Sequence, residues 1–265
     1  MKKLFLTSCI FVLTLAASHS LFAKNNDVSS RKISIANNPN QTYFLIGESN
    51  VKSNNDDKPH GLVIIMPGGD GSADFHPFIT NIYRQAIPKN YLAAQPIAVK
   101  WTQKQYIVWP TKRDKVKKMK FTTETFVEDV IKDVQSQYDI DPDKIFTFTW
   151  SSSGPAAYAI ATQKQTAVKG SFIAMSVFKP AKLKSKNAKG HSFYIYHSKQ
   201  DKVAPYRFAY TAMRRLTKNN ANVTLKTYNG GHGWMHANLW KNISDGIKFL
   251  DANACETKAT KNDQE

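Results

Sequence analysis

Leu62-Val63-Ile64-Ile65-Met66 is apolar at every position. A strand with one wet face alternates apolar and polar residues, because successive side chains point to opposite sides of the sheet. An unbroken apolar run of strand length is instead expected where both faces are covered, as in a central parallel strand between layers of helices. The segments 91–99, 145–149, 171–178, 192–197 and 222–228 read as further strands. Between them, Phe126, Val127, Val130, Ile131, Val134 and Tyr138 mark one face of a helix, with Thr125 and Glu128 at capping-box spacing. Residues 155–162, 205–216 and 239–250 supply further helical segments. Strands alternating with helices predict an α/β fold, with a mostly parallel central sheet covered by helices on both faces. The Asn-rich stretch 24–57 offers one strand, at 41–47, expected at the sheet edge. Residues 104–119 read as a basic loop carrying Trp109-Pro110. No internal repeat is visible.

The first 23 residues stand apart from the fold. Lys2 and Lys3 precede an apolar stretch from Leu4 to Ala17, and small residues follow it. This is the pattern of a secretory signal peptide, with cleavage expected after Ala23 and Ser18 as the alternative. The apolar core is too short for a comfortable membrane span, so no transmembrane anchor is expected and the mature chain is placed in the periplasm or medium. Leu6-Thr7-Ser8-Cys9 imitates a lipoprotein box, but most of the apolar segment lies after the cysteine. Cleavage leaves about 240 residues, the size of one domain that needs no disulfide. Cys255 would then be the only cysteine, expected in an unpaired tail at 255–265.

The formal net charge is +17, on 37 basic and 20 acidic side chains. Two segments concentrate the excess, 104–120 and 164–189. They raise the expectation of weak contact with anionic surfaces through long-range attraction, or else are solvated lysine-rich loops. Neither carries a nucleic-acid motif or a repeated aromatic and basic platform, so no nucleic-acid partner is expected. No cysteine and histidine cluster has zinc-site spacing, and His232 and His236 lack the glutamate of a zinc helix. Neither a metal nor a cofactor is expected.

Candidate chemistry gathers at strand ends. Thr149-Trp150-Ser151-Ser152-Ser153-Gly154-Pro155 joins a strand to a helix, the setting in which a turn exposes a serine hydroxyl as a nucleophile. Ser151 and Ser152 compete for the role. A nucleophile at Ser152 would put Trp150 where the chain must approach itself closely, which favours Ser151. Asp201 follows the strand at 192–197, whereas Asp141 and Asp143 precede theirs and fall at the wrong end of a parallel sheet. Asp201 alone would read as a turn or cap residue. His232, in Gly230-Gly231-His232-Gly233-Trp234, follows the last strand. Together these three supply a nucleophile, an acid and a base. Met66-Pro67-Gly68-Gly69-Asp70-Gly71 is a glycine-rich turn after the central strand, and the backbone N–H groups of Gly69 and Ser152 are the expected oxyanion donors. Trp109, Trp150 and Trp234 are candidate substrate walls, or ordinary packing residues.

At these residues the chain resembles the α/β-hydrolase superfamily, in particular its phospholipase/carboxylesterase and dienelactone-hydrolase-like branch, over residues 61–250. Trp150-Ser151-Ser152 and Gly154-Pro155 are similar to the elbow "GWSSGGP", with Thr149 and Ser153 where glycines usually stand. The segment from His197 to Pro205 resembles the acid loop of the family. Met66-Pro67-Gly68-Gly69 resembles its oxyanion strand, with Pro67 in place of histidine. The resemblance implies an α/β-hydrolase fold at 58–254, a triad in the order Ser, Asp, His, and an acyl-enzyme on Ser151. Because only about a dozen residues separate the strands at 171–178 and 192–197, no large cap domain is expected and the site should be open. The expected substrate is a small-molecule or polymeric ester. Peptidase or polyester depolymerase chemistry would use the same residues, and the rival reading is a catalytically silent, basic surface-binding protein on the same fold.

Overall fold

The computed structural model describes residues 28–53, 58–233 and 238–262. Its strands are β1 (Ser30–Ile35), β2 (Asn38–Ile46), β3 (His60–Met66), β4 (Tyr91–Pro96), β5 (Ile140–Trp150), β6 (Gly170–Ala174), β7 (Ser192–Ser198) and β8 (Asn222–Tyr228). The helices are α1 (Glu48–Ser53), α2 (His76–Ala86), α3 (Thr123–Gln135), α4 (Gly154–Ala161), α5 (Arg207–Thr217) and α6 (Leu239–Asn262). One sheet contains all these strands, in the order β1-β2-β4-β3-β5-β6-β7-β8. β1 and β2 form an antiparallel hairpin across Ala36-Asn37, and β2 runs antiparallel to β4. Every other pairing is parallel. This is an open, mostly parallel sheet, as the alternation of strands and helices in the sequence leads one to expect.

β3 shows why an unbroken apolar run suits the centre. Leu62, Ile64 and Met66 pack with α3 and α4 on one side of the sheet. Val63 and Ile65 pack with α2 and α6 on the other. All five are fully buried. A third cluster joins α5, through Ala209, Ala212 and Leu216, to Phe193 and Ile195 of β7.

Several expectations need correction. The strand expected at the edge within 24–57 is interior, because β1 lies outside it; Tyr43, Leu45 and Ile46 of β2 are fully buried. α2 has no counterpart among the predicted helices. The cap of α3 is Thr122, whose hydroxyl accepts the Thr125 N–H at 3.3 Å. Glu128 instead reaches across to Thr166 and the Ala167 N–H. β6 stops at Ala174, four residues before its predicted end, and β5 begins early enough to include Asp141 and Asp143 at its amino end. α6 continues to Asn262 through most of the predicted tail. The proposed leader lies outside the described residues.

The edges differ from the centre. β1 exposes Arg31 and Lys32, and β8 exposes Asn222, Lys226 and Thr227. Short 3-10 turns at Pro180–Lys182 and Ser185–Ala188 are the only regular structure between β6 and β7, so no cap domain is inserted there.

Candidate active site

The six parallel strands β3 to β8 end on one side of the sheet, and the chemistry-bearing residues collect there. β5 ends at Trp150 with extended backbone, and Ser151 then turns sharply at φ 55 before α4 begins. A positive φ is unusual for a serine and costs backbone energy, which the surroundings must hold in place. Ser153 helps to do so. Its buried hydroxyl donates to the Met66 carbonyl at 2.7 Å, lies 2.9 Å from the Trp150 carbonyl and accepts the Trp150 N–H, tying the turn to β3. Thr149 donates its hydroxyl to the Phe172 carbonyl on β6. Both non-glycine positions of the elbow are therefore occupied by small side chains with satisfied polar groups. The need for glycine moves elsewhere: a Cβ on Gly154 would lie 2.1 Å from the Ser176 Oγ, and one on Gly68 would strike the Trp150 ring.

The Ser151 Oγ lies 2.9 Å from His232 Nε2, and His232 Nδ1 lies 2.8 Å from Asp201 Oδ2. The neutral tautomer that fits both contacts carries its proton on Nδ1 and accepts the serine hydroxyl at Nε2. The Asp201 carboxylate is fully buried. Its other oxygen accepts the N–H groups of Val203 and Ala204, each at 2.8 Å, so its charge is satisfied by donors that cannot move away. His197, at 1 % exposure, sits 3.5 Å from the same carboxylate and donates Nε2–H to the Ala204 carbonyl at 2.6 Å. Burial pushes its pKa down, opposed by the Ala204 bond and the Asp201 charge. His197 is therefore a neutral brace for the acid loop.

The histidine loop is held from two sides. The Ser198 hydroxyl donates to the Gly230 carbonyl. Gln200 accepts the Gly230 N–H, and the Tyr228 hydroxyl donates to the Gly231 carbonyl. On the far side of the elbow, the Ser176 hydroxyl donates to the carbonyl of Ser151 itself at 2.6 Å. Ser176 carried no signal in the sequence, and although Ser153, Ser198 and Gln200 fall within the elbow and acid-loop segments, nothing there marked their bracing contacts.

Gly69, at φ 59, turns the chain after β3, and the Ser152 hydroxyl donates to its carbonyl at 2.9 Å. The two segments expected to supply oxyanion donors are thus joined directly. Asp70 serves the turn itself: it accepts the Ser72 N–H, and that bond lowers its pKa.

Of the tryptophans expected as substrate walls, Trp109 lines a cleft beside Ser152, whereas Trp150 is placed in the core. Trp150 is 5 % exposed and packs edge-on against Phe75, Phe78 and Phe148. It is a core side chain behind the elbow. Trp109 is 3 % exposed, with its indole N–H on the Pro67 carbonyl at 2.9 Å, and contributes to the lining of the cleft. Trp234 lies outside the described residues. The other apolar walls beside Ser152 are aliphatic, with Ile107, Val108, Val177 and Leu183 around a cleft of ≈ 190 Å³. Tyr106 stands at its rim, 88 % exposed. The polar end of the cleft is the Lys182–Asp114 ion pair at 2.5 Å. Asp114 also accepts the Thr111 N–H and hydroxyl, and these donors outweigh burial to lower its pKa. Among the described residues no group of three or more histidine, cysteine or acidic side chains could hold a metal, and no helix is long and apolar enough to cross a membrane.

The phospholipase/carboxylesterase family model matches residues 99–254. No curated protein matches the sequence. Among solved structures, a protein described as a dienelactone hydrolase from Klebsiella pneumoniae is similar at a TM-score of 0.63 and 13 % identity, over 85 % of this chain and 99 % of its own. An S-formylglutathione hydrolase from Staphylococcus aureus gives 0.62 and 15 %, over 84 % and 98 %. A carboxylesterase from Bacillus cereus gives 0.58 and 13 %, over 86 % and 96 %. At these identities the likeness is one of fold.

Proposed function

Because this chain belongs to the phospholipase/carboxylesterase family of α/β-hydrolases, we propose that it is a serine carboxylesterase working through an acyl-enzyme on Ser151. The reading rests on one observation, the unbroken line of contacts from Ser151 Oγ through His232 to Asp201, at 2.9 and 2.8 Å. A serine hydroxyl attacks a carbonyl well only when a base takes its proton. His232 Nε2 takes it, and Asp201 holds the ring in the required tautomer and stabilises the imidazolium. The N–H groups of Gly69 and Ser152 then meet the negative oxygen of the tetrahedral intermediate. His232 returns the proton to the departing alkoxide, leaving the acyl group on Ser151. Water, losing a proton to His232, attacks that acyl group, and a second tetrahedral intermediate collapses to the carboxylic acid and free serine.

A fluorophosphonate probe tests this proposal. It should label the wild-type protein at Ser151 and leave Ser151→Ala unlabelled and without turnover of p-nitrophenyl esters. An unlabelled wild type, folded by circular dichroism, would refute the acyl-enzyme. Export is part of the same proposal, supported by the leader-like pattern of residues 1–23. Mass spectrometry of protein from the native host should find a mature N-terminus at Lys24.

A further inference from the structure

Away from the serine, the turn Ser185–Ala188 and the helix α5 enclose a groove of ≈ 770 Å³. Lys184 and Lys186 line it from the turn, and Arg214, Arg215 and Lys218 from the end of the helix, with no carboxylate among its walls. The sequence separates these two groups by nearly thirty positions; folding puts them on one trough. The absence of acids extends further, since Asp201 is the only carboxylate side chain from Lys169 to Tyr228 and it is buried in the active site.

The groove is built as well as charged. Arg215 Nε donates to the Ser185 Oγ at 3.0 Å, which ties one guanidinium to the turn, and the Asn219 amide donates to the Arg215 carbonyl at the helix end. The Arg214 guanidinium lies 5.9 Å from the centre of the Tyr210 ring. Five like charges held around one trough repel each other, and an anionic ligand relieves that repulsion while releasing its own counterions.

We propose that this groove binds a linear acidic polysaccharide, a chain of carboxylate- or sulfate-bearing sugars. The concave, polar walls favour that partner over the alternatives. Docking on a membrane surface buries protruding apolar side chains, and the one large apolar group here, Tyr210, is already faced by Arg214. Single-stranded nucleic acid needs several bare aromatic platforms. Repeated carboxylates along a flexible sugar chain match a row of guanidinium and ammonium groups without either feature. Consecutive residues serve the two cavities, Leu183 lining the cleft beside Ser152 and Lys184 lining the groove. The inference does not depend on the esterase reading, because it concerns binding.

The test is titration of the full chain with polygalacturonate, followed by calorimetry or fluorescence anisotropy, with dextran as the uncharged control. Binding to polygalacturonate but not dextran is expected, weakening with salt at a log–log slope of about 3 to 5, one counterion released per engaged cation. The triple variant Lys186→Gln, Arg214→Gln, Lys218→Gln should lose about tenfold or more in affinity. A matched variant in the other basic segment, Lys115→Gln, Lys117→Gln, Lys118→Gln, removes the same charge and should bind as the wild type. Equal loss in both would overturn the proposal, leaving only non-specific attraction by net charge. So would stronger binding to phosphatidylglycerol vesicles or to poly(dT) than to polygalacturonate. Equal fluorophosphonate labelling of both variants, or equal melting temperatures if the probe does not react, confirms that each is folded.

Discussion

Ser151 is held in an unfavourable backbone conformation by neighbours that do no chemistry. Ser176 is the most direct of these, since its hydroxyl is bonded to the Ser151 carbonyl. Ser176→Ala should therefore lower kcat with little change in KM, a split that steady-state kinetics would show and that a purely structural loss would not produce. Ser152→Ala removes the bond to the Gly69 carbonyl but keeps the backbone N–H, so activity should fall severalfold and not vanish. If Ser152→Ala is instead the dead variant, the nucleophile has been misassigned. Asp201→Asn should fold normally and lose about 10³–10⁴ in kcat, because the amide can place its N–H toward His232 and favour the wrong tautomer. Gly154 gives a packing test: Gly154→Ala should destabilise the protein by about 1–3 kcal/mol, the cost of overpacking, and adding Ser176→Gly should recover part of it. Chemical denaturation of both variants would measure the recovery.

At the level of elements, the sheet was largely readable and its exceptions have physical causes. β3, β5, β7 and β8 carry continuous or β-branched apolar runs that have no other use. β1 was missed because an edge strand with Ser30, Arg31 and Lys32 exposed looks like a polar loop. α2 was legible in principle: Ile79, Ile82, Tyr83 and Ala86 are buried at helical spacing, and the surrounding polar residues and Pro77 obscured the stripe. In the site, Ser151, Asp201 and His232 could be found because each follows a strand. The braces could not, because their partners are backbone groups that only folding brings near. His197 shows the consequence of such a brace. Its pKa is lowered by burial, so below about 6.5 the unfolded chain binds a proton that the folded chain refuses. Stability supplied by neutral His197 is complete above that value and is lost as pH falls toward the folded pKa. The melting temperature should therefore drop on acidification from pH 7.5 to 5.5, and less steeply in His197→Gln, which keeps a donor for the Ala204 carbonyl. Equal slopes would mean that other groups set the acid sensitivity.

On the scale of the whole molecule, charge is distributed with little relation to the chemistry. Asp201 is buried and His232 partly buried within the fold, whereas most lysines lie on loops and helix faces. Salt should consequently leave the turnover of a small neutral ester nearly unchanged, since screening acts on exposed charges. A large salt effect on such a substrate, measured at fixed pH, would place cations at the reacting atoms. The same distribution governs how copies of the protein meet. An open sheet has two borders with unpaired backbone groups, and each invites a strand from another molecule. Here those borders carry Lys32 on β1 and Lys226 on β8, so stacking border to border would crowd ammonium groups together without counter-charge. Substituting valine at both positions should lower the concentration at which light scattering detects fibres, making two lysines remote from the serine guardians of colloidal solubility.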